Sequence, residues 1–311
     1  MNLSMVIPCY NEEGNVTKFF DEAESQLKNL GISYEYIFVN DGSTDKTGRE
    51  LENLYNTRTD KSITVVNFSR NFGKEAAIFA GLNNADGDYV CVIDADLQQH
   101  PRVAVEMLDC IIHNPEYDCI CAYQATRNES KAMTTAKSAF YHIMNTLTET
   151  EFKNGASDFR LFTKRFKEAV LSMGEYHRFS KGIFSWVGYN VYYMEYTAEE
   201  RNSGKTKWSF LSLLKYAFNG ILSFSTAPLR LATVIGSISV FFSIIYLIVT
   251  VIRKLASDIN VDGFTQIVIL ITFFSGVLLF TVGIIGEYIA KIYQQVKNRP
   301  IYIEKSKLQR K

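Results

Sequence analysis

Two long stretches of this chain carry no charge at all. Residues 231–252 read LATVIGSISVFFSIIYLIVTVI, and residues 264–286 read FTQIVILITFFSGVLLFTVGIIG. As helices, about 22 residues at 1.5 Å each span roughly 33 Å, the thickness of a bilayer's hydrocarbon core. A soluble core helix of that length would show a polar stripe, and neither run has one. The pair predicts two transmembrane helices and leaves the residues before them to build any soluble domain.

Charge narrows the partners. Acidic and basic side chains number 33 each among 311 residues, and zero net charge gives no reason to expect nucleic acid. MNLSMVIPCY lacks the basic start and long apolar run of a signal peptide. The soluble part is therefore expected in the cytosol, and two spans return the C-terminus to that side of the cell membrane. Lys205, Lys207, Lys215 and Arg230 flank one end, and Lys291, Lys297, Arg299, Lys305 and Lys307 follow the second span, consistent with positive charge inside. Arg253 and Lys254, beside the short outer loop, depart mildly from that pattern. The five cysteines (Cys9, Cys91, Cys110, Cys119, Cys121) all precede the spans and read as reduced, packed thiols. Cys119-x-Cys121 lacks the second pair that a zinc site would need.

Before the spans, apolar strands alternate with helical patterns. LSMVIP, YEYIFVN, SITVVNFS, YVCVID and CICAY are rich in β-branched and aromatic residues and read as strands. Residues 16–30, 46–55, 74–84 and 101–114 suit helices between them. This alternation predicts an α/β domain with a mostly parallel sheet covered on both faces. Ligands of such sheets bind beyond the carboxyl ends of the strands. Four strands end there in polar clusters: PCYNEE, NDGSTD, SRNFGK and DADLQQ. That coincidence is the strongest internal sign of a site.

Further on, NESKAMTTAKSAFYHIMNTL reads as a helix, GASDFRLF as a turn entering a strand, and VGYNVYYMEY as another strand. WSFLSLLKYAFNGILSF, residues 208–224, places Phe210, Leu213, Leu214, Ala217, Ile221 and Phe224 on one helical face. It suits a helix lying on the bilayer surface, with an ordinary domain helix as the alternative. The chain divides into a catalytic domain (1–206), an amphipathic juxtamembrane helix (207–226), a two-helix anchor (227–293) and a basic cytosolic tail (294–311).

Residues two apart in a strand point the same way. Asp94 and Asp96 of VCVIDADLQQHP converge if the strand persists that far, and Gln98 continues the row if the backbone stays extended. Two carboxylates and an amide oxygen are hard ligands suited to Mg2+ or Mn2+. The alternative is helix capping before Pro101, which needs only one Asp. In NDGSTDKT, Asp41 could accept hydrogen bonds from a nucleobase or ribose or serve the turn. In PCYNEE, Pro8 stiffens the strand exit and Tyr10 could stack on a base. Glu12 or Glu13 could be merely a first-turn helix charge.

Together VIPCYNEE, NDGSTD, SRNFGKEAA, DADLQ, NGASDFRLF and RNSGKTKW, followed by two spans, resemble the polyprenyl-phosphate glycosyltransferases of glycosyltransferase family 2. The likeness covers essentially the whole chain in order. The tail IGEYIAKIYQQVKNRP looks more like the bactoprenol branch than the shorter dolichol-phosphate mannose synthases. The resemblance implies a GT-A (Rossmann-like) fold that binds a nucleotide-sugar and inverts the anomeric centre. It implies that Pro8, Tyr10, Glu12 and Asp41 contact the nucleoside, and that Lys74 belongs with the nucleotide-sugar residues. It makes Asp94 and Asp96 the D-x-D motif, with Gln98 completing the metal set. Asp158 matches a carboxylate proposed as catalytic base, and Asp96 is expected with it among the catalytic residues. Arg201 and Lys207, in R-x-x-G-x-x-K, would bind phosphates, although they could equally be membrane-surface charges. Asn40 departs from the family, where Asp often precedes DGS, and Thr206 stands where Ser is common.

Charge chemistry agrees with most of this. A nucleoside diphosphate gathers negative charge as it leaves, so a divalent metal and cations stabilise it. The metal is thus the expected positive partner of the two aspartates. A phosphate monoester is already largely ionised near neutral pH, so Asp158 is expected to position a substrate as much as to take a proton. Arg127, Lys131, Lys137, Arg178 and Lys181 are candidates to meet a lipid phosphate or are simply solvated. No histidine pair has a metal-ligand spacing.

The resulting expectation is a membrane-anchored, metal-dependent transferase. It moves one sugar from a nucleotide donor such as UDP-glucose or UDP-N-acetylglucosamine to undecaprenyl phosphate, for cell-envelope glycosylation. A processive polysaccharide synthase would need more spans and a Q-x-x-R-W signature that is not found. A non-catalytic scaffold would be expected to have lost Asp94, Asp96 or Asp158. Association of two chains through the anchor stays open.

Overall fold

The first apolar run forms strand β1 (Asn2–Cys9), paired in parallel along its length with β2 (Ser33–Asn40). The computed structural model describes residues 2–124, 156–197, 225–256 and 263–310. They belong to two units, Met1–Ala217 with Arg299–Lys311, and Phe218–Asn298.

The first unit is built on an eight-stranded sheet. β3 (Ile63–Phe68), β4 (Tyr89–Val92), β5 (Cys119–Tyr123), β6 (Ala156–Thr163), β7 (Val191–Glu195) and β8 (Glu304–Arg310) complete it, in the order β7-β5-β6-β4-β1-β2-β3-β8. The pairings β1–β2, β1–β4, β2–β3 and β5–β7 are parallel. β6 runs antiparallel to both β4 and β5, and β8 runs antiparallel to β3. The expected mostly parallel α/β sheet is therefore present, with antiparallel strands where chain segments return.

Helix periodicity explains the covering layers. In α1 (Val16–Leu27), Val16, Phe19, Phe20, Ala23 and Leu27 are buried, the stripe of an amphipathic helix. With α2 (Thr47–Thr57) and α4 (Pro101–His113) it packs onto one core containing Leu3, Met5 and Ile7 of β1. α3 (Lys74–Asn84) covers the opposite face so closely that a Cβ on Gly81 would lie 2.2 Å from Val6 Cγ1. Only glycine permits that approach. α5 (Lys164–Ser172) and α6 (Ser180–Trp186) follow β6. Cys9, Cys91, Cys119 and Cys121 are buried free thiols, as expected, and Cys110 is half-buried.

Residues 299–310, assigned by sequence to a separate basic tail, are part of this unit. β8 pairs with β3 from Ile63–Arg310 to Phe68–Glu304, and Ser69 N donates to Ile303 O at 3.0 Å. Tyr302 stacks on Phe68 with ring centroids 4.8 Å apart.

The second unit is a helix pair, α7 (Ala227–Ala256) and α8 (Phe264–Val296). Within them Ala227–Ile252 and Gln266–Val296 are long and apolar enough to cross a membrane. Tyr246 Oη donates to Gln266 Oε1 at 3.3 Å, and Tyr288 Oη to Ser225 O at 2.7 Å. The expected helices over 128–147 and 208–224 lie outside the described residues.

Candidate active site

The loops after β1 and β2 are sewn together by polar side chains. Asn11, at φ 55°, donates its N–H to Ser43 Oγ at 3.0 Å and accepts from Thr44 N at 2.9 Å. Glu12 N donates to Thr47 Oγ1 at 2.8 Å, and its carboxylate accepts from Asn15 Nδ2 at 2.7 Å. Pro8 stands in β1, facing Val39, and Tyr10 is 40% exposed at the strand exit. Tyr10 is thus the exposed aromatic surface of that exit.

Asp41 is 3% exposed, and its carboxylate is used by the protein itself. It accepts from Phe72 N at 2.6 Å, Gly73 N at 2.9 Å and Asn71 Nδ2 at 3.0 Å. Burial pushes its pKa up, against the two backbone amides and Arg70. Asp41 thereby ties the end of β2 to the loop that opens α3. Gly42, at φ 62°, lets that loop pass, because a Cβ there would lie 2.3 Å from the Arg70 carbonyl carbon. Asn40 is buried between the same loops, donating to Asn67 Oδ1 at 2.9 Å and accepting from Ser43 N at 3.1 Å. A carboxylate would lose the amide donor to Asn67.

The strand before DADLQQ ends earlier than expected. β4 stops at Val92, and residues 95–99 form turns and bends, with Leu97 at φ 60°. Asp94 and Asp96 are thus not set side by side by strand alternation. Asp96 Oδ1 accepts from Gln98 N at 3.1 Å, and this short turn carries the chain toward α4. The glutamine tied to Asp94 is Gln99, which is buried: Asp94 N donates to Gln99 Oε1 at 3.0 Å, and Gln99 Nε2 to Asp94 Oδ2 at 3.3 Å. A left-handed non-glycine residue is costly, and here Leu97 gains burial against the core.

Lys74, the first residue of α3, points into the same place. Its ammonium lies 2.6 Å from Asp94 Oδ1 and 3.3 Å from Asp158 Oδ2. Burial works against that charge, yet Asp94 and Asp158 outweigh it and raise the lysine pKa. Desolvation likewise opposes ionised Asp158, but Lys74, then Lys181 and Arg160, hold its carboxyl below the ordinary range. The positive partner assigned by sequence to a metal is present within the chain.

The next residue, Glu75, is held differently. Its carboxylate accepts from Ser180 N at 2.8 Å and from Ser180 Oγ. Burial, then repulsion from Asp158, raises its pKa. Lys74 and Glu75, adjacent in sequence, thus hold different partners, Lys74 the carboxylates of Asp94 and Asp158 and Glu75 the first turn of α6.

Comparison with known proteins decides what this arrangement belongs to. Residues 4–171 match glycosyl transferase family 2, and residues 227–292 match the GtrB C-terminal hairpin. The chain belongs to glycosyltransferase family 2. It is 38% identical to the uncharacterized glycosyltransferase sll0501 of Synechocystis sp. over 97% of this chain and 94% of that one. It is 35% identical to the SfII prophage-derived bactoprenol glucosyl transferase of Shigella flexneri, over 98% of each chain. With the bactoprenol glucosyl transferase of Shigella phage SfV it shares 34% identity over the full length of both.

In this glycosyltransferase the family match contains the polar clusters at the ends of β1 to β4 together with Asp158, and its α/β architecture is the GT-A fold. Asp94 and Asp96 offer hard carboxylate oxygens, and Asp158 Oδ1 is buried without a hydrogen bond among the described residues. Oxygen donors of this kind are the ones Mg2+ or Mn2+ takes. Among the described residues no three Asp, Glu, His or Cys side chains are gathered closely enough to hold a metal ion by themselves. A cation here would keep positions for phosphate oxygens. Arg201, Lys207, Arg127, Lys131 and Lys137 lie outside the described residues.

Glu75, Gln99 and Arg160 were missed by the sequence reading. The alternation in SDFRLF, which puts Asp158 and Arg160 on one strand face, could have found Arg160. Nothing local marks Glu75 or Gln99, whose partners depend on turns and on contacts 105 residues apart.

Proposed function

We propose that the protein transfers one sugar, with inversion, from a UDP-sugar such as UDP-glucose or UDP-N-acetylglucosamine to undecaprenyl phosphate. The reaction takes place at the cytosolic membrane face, for cell-envelope glycosylation. The observation that carries this reading is the Asp94–Lys74–Asp158 cluster at the carboxyl edge of the sheet. The bactoprenol glucosyl transferase relatives supply the acceptor class. The apolar hairpin supports membrane attachment. Both ends of that hairpin connect to the unit holding the site, since β8 rejoins its sheet. That connectivity favours a hairpin whose two ends lie on the same side of the membrane.

In this reading the acceptor phosphate oxygen bonds to the anomeric carbon while the bond from that carbon to the UDP oxygen breaks. The electron pair leaves with the diphosphate, and approach from the opposite face inverts the centre. Asp94 and Asp96, with Gln98, would hold Mg2+ or Mn2+, which would neutralise the diphosphate charge. Lys74 adds a cation at the same edge. Pro8, Tyr10 and Glu12 line the nucleoside side, with Tyr10 offering a ring to the base, and Asp41 shapes that side by fixing the loop of residues 71–73. Arg201 and Lys207 bind phosphates. Asp158, held ionised by Lys74, is a weak base, so it orients the donor sugar or the acceptor, and the dianionic acceptor needs no base. The test is incubation of purified protein with undecaprenyl phosphate, Mn2+ or Mg2+ and a labelled panel of UDP-sugars. A metal-dependent lipid-linked sugar with one donor is expected; no lipid product with any donor overturns the reading.

A further inference from the structure

Asp158 and Arg160 share one face of β6, being two residues apart. Arg160 is 2% exposed, its Nε donates to Ser157 O at 3.2 Å, and its guanidinium lies 4.8 Å from the Phe184 ring. Phe184 belongs to α6, so that helix lies over this face of the strand. Lys181 precedes Phe184 by three residues and therefore occupies the same side of α6, one turn earlier. A second anchor fixes that first turn. Glu75 accepts from both the N–H and the hydroxyl of Ser180, and Glu75 follows Lys74, which contacts Asp158. Two independent contacts thus bring the Ser180–Lys181 pair to the carboxylate cluster. After Lys74, Lys181 is the strongest positive influence on Asp158.

Among the described residues, the other cations of this region are already engaged. Lys74 pairs with two carboxylates, and Arg160 is stacked and bonded. Arg178 donates to Met173 O and Val170 O and lies 4.4 Å over the Phe79 ring. Lys181 is half-buried and makes no hydrogen bond or ion pair with another described residue. A phosphate monoester carries close to two negative charges near neutral pH. Asp94, Asp96, Asp158 and ionised Glu75 all repel such a group, so its approach requires a cation with donors still to give.

We propose that Lys181 binds the phosphate of the acceptor lipid, and that Glu75 is the positioning residue that holds it there through Ser180. The proposal rests on the transferase reading above. It is tested with the full-length protein in detergent, by steady-state transfer to undecaprenyl phosphate. Lys181→Met is expected to raise the acceptor KM by about 10- to 100-fold, the size of a lost charge-assisted hydrogen bond. The donor KM should stay within about twofold, the scatter expected where no contact is lost, and Lys181→Arg should recover most of the acceptor affinity. If Lys181→Met unfolds the catalytic unit, Lys181→Gln is judged by the same criteria. An unchanged acceptor KM, or an equal rise in donor KM, overturns the proposal while leaving the transferase reading intact. Absence of transfer by the unaltered protein overturns both.

Discussion

Lys74 Nζ stands 2.6 Å from Asp94 Oδ1, so the first carboxylate of the DAD turn is neutralised by the chain itself. The same ammonium reaches Asp158 at 3.3 Å. The repulsion expected between clustered carboxylates is relieved before any ligand arrives, and a divalent cation at Asp94 must compete with this lysine.

That competition has a direct test. Lys74→Met should bind Mn2+ several-fold more tightly in the absence of nucleotide, read by the loss of free-ion signal in electron paramagnetic resonance. Its transfer rate should fall by about 100-fold, because a cation facing the departing diphosphate is removed. Unchanged Mn2+ affinity would show that lysine and metal do not share a seat.

Asp96→Asn separates chemistry from turn structure. Asparagine keeps a side-chain oxygen for Gln98 N, so the melting temperature should move by less than about 2 °C. Transfer should fall by about 100-fold or more if Asp96 holds the diphosphate's counter-ion. Comparable losses in both would assign Asp96 to the turn alone.

Glu75 makes stability depend on pH. Burial raises its pKa from 4.5 to about 7, with Asp158 adding and Ser180 and Lys74 opposing. The folded state therefore holds the proton more tightly than the unfolded chain. Its stabilising contribution is complete below about pH 4.5 and is lost as pH rises through about 7. The unfolding temperature of the catalytic unit, followed by tryptophan fluorescence, should fall between pH 5 and pH 8. Glu75→Gln, which keeps an acceptor for Ser180, should flatten that fall; parallel curves would remove Glu75 as its source.

A chain ending at residue 298 should lose the catalytic unit's edge strand. β3 would expose its unpaired backbone edge, which favours aggregation, and Phe68 would lose the Tyr302 ring. Tyr302→Ala alone should cost about 1–3 kcal/mol in denaturant unfolding, from lost aromatic contact and area. A monodisperse truncated protein with unchanged unfolding would contradict this role for β8.

The sequence showed some of these features and hid others for identifiable reasons. VIPCYNEE and NDGSTD were legible because each joins an apolar strand to a polar exit, and the strand address survives folding. EKSKLQR was not legible as β8, since only Leu308 of its residues packs against the core. Its pairing partner β3 lies more than 230 residues away in the chain. Asp94 and Asp96 were identified by type and place, while their geometry was misjudged. Extension of the strand was a local extrapolation, and the turn at Leu97 is stabilised by burial that local pattern does not reveal.

By itself the sequence determined the α/β alternation, the membrane-length helices, and the identity of the acidic and basic residues at the strand ends. Hydrophobic periodicity is a local property, and hydrogen bonding within helices and between successive strands follows it directly. Tertiary structure alone decided which charges meet. Lys74, Asp94 and Asp158 come from three separate segments, and an ion pair depends on distances of a few ångströms that only packing sets. α3, which begins at Lys74, packs closely on β1 at Gly81. The bonds from Ser180 to Glu75 then tie α6 to the start of α3.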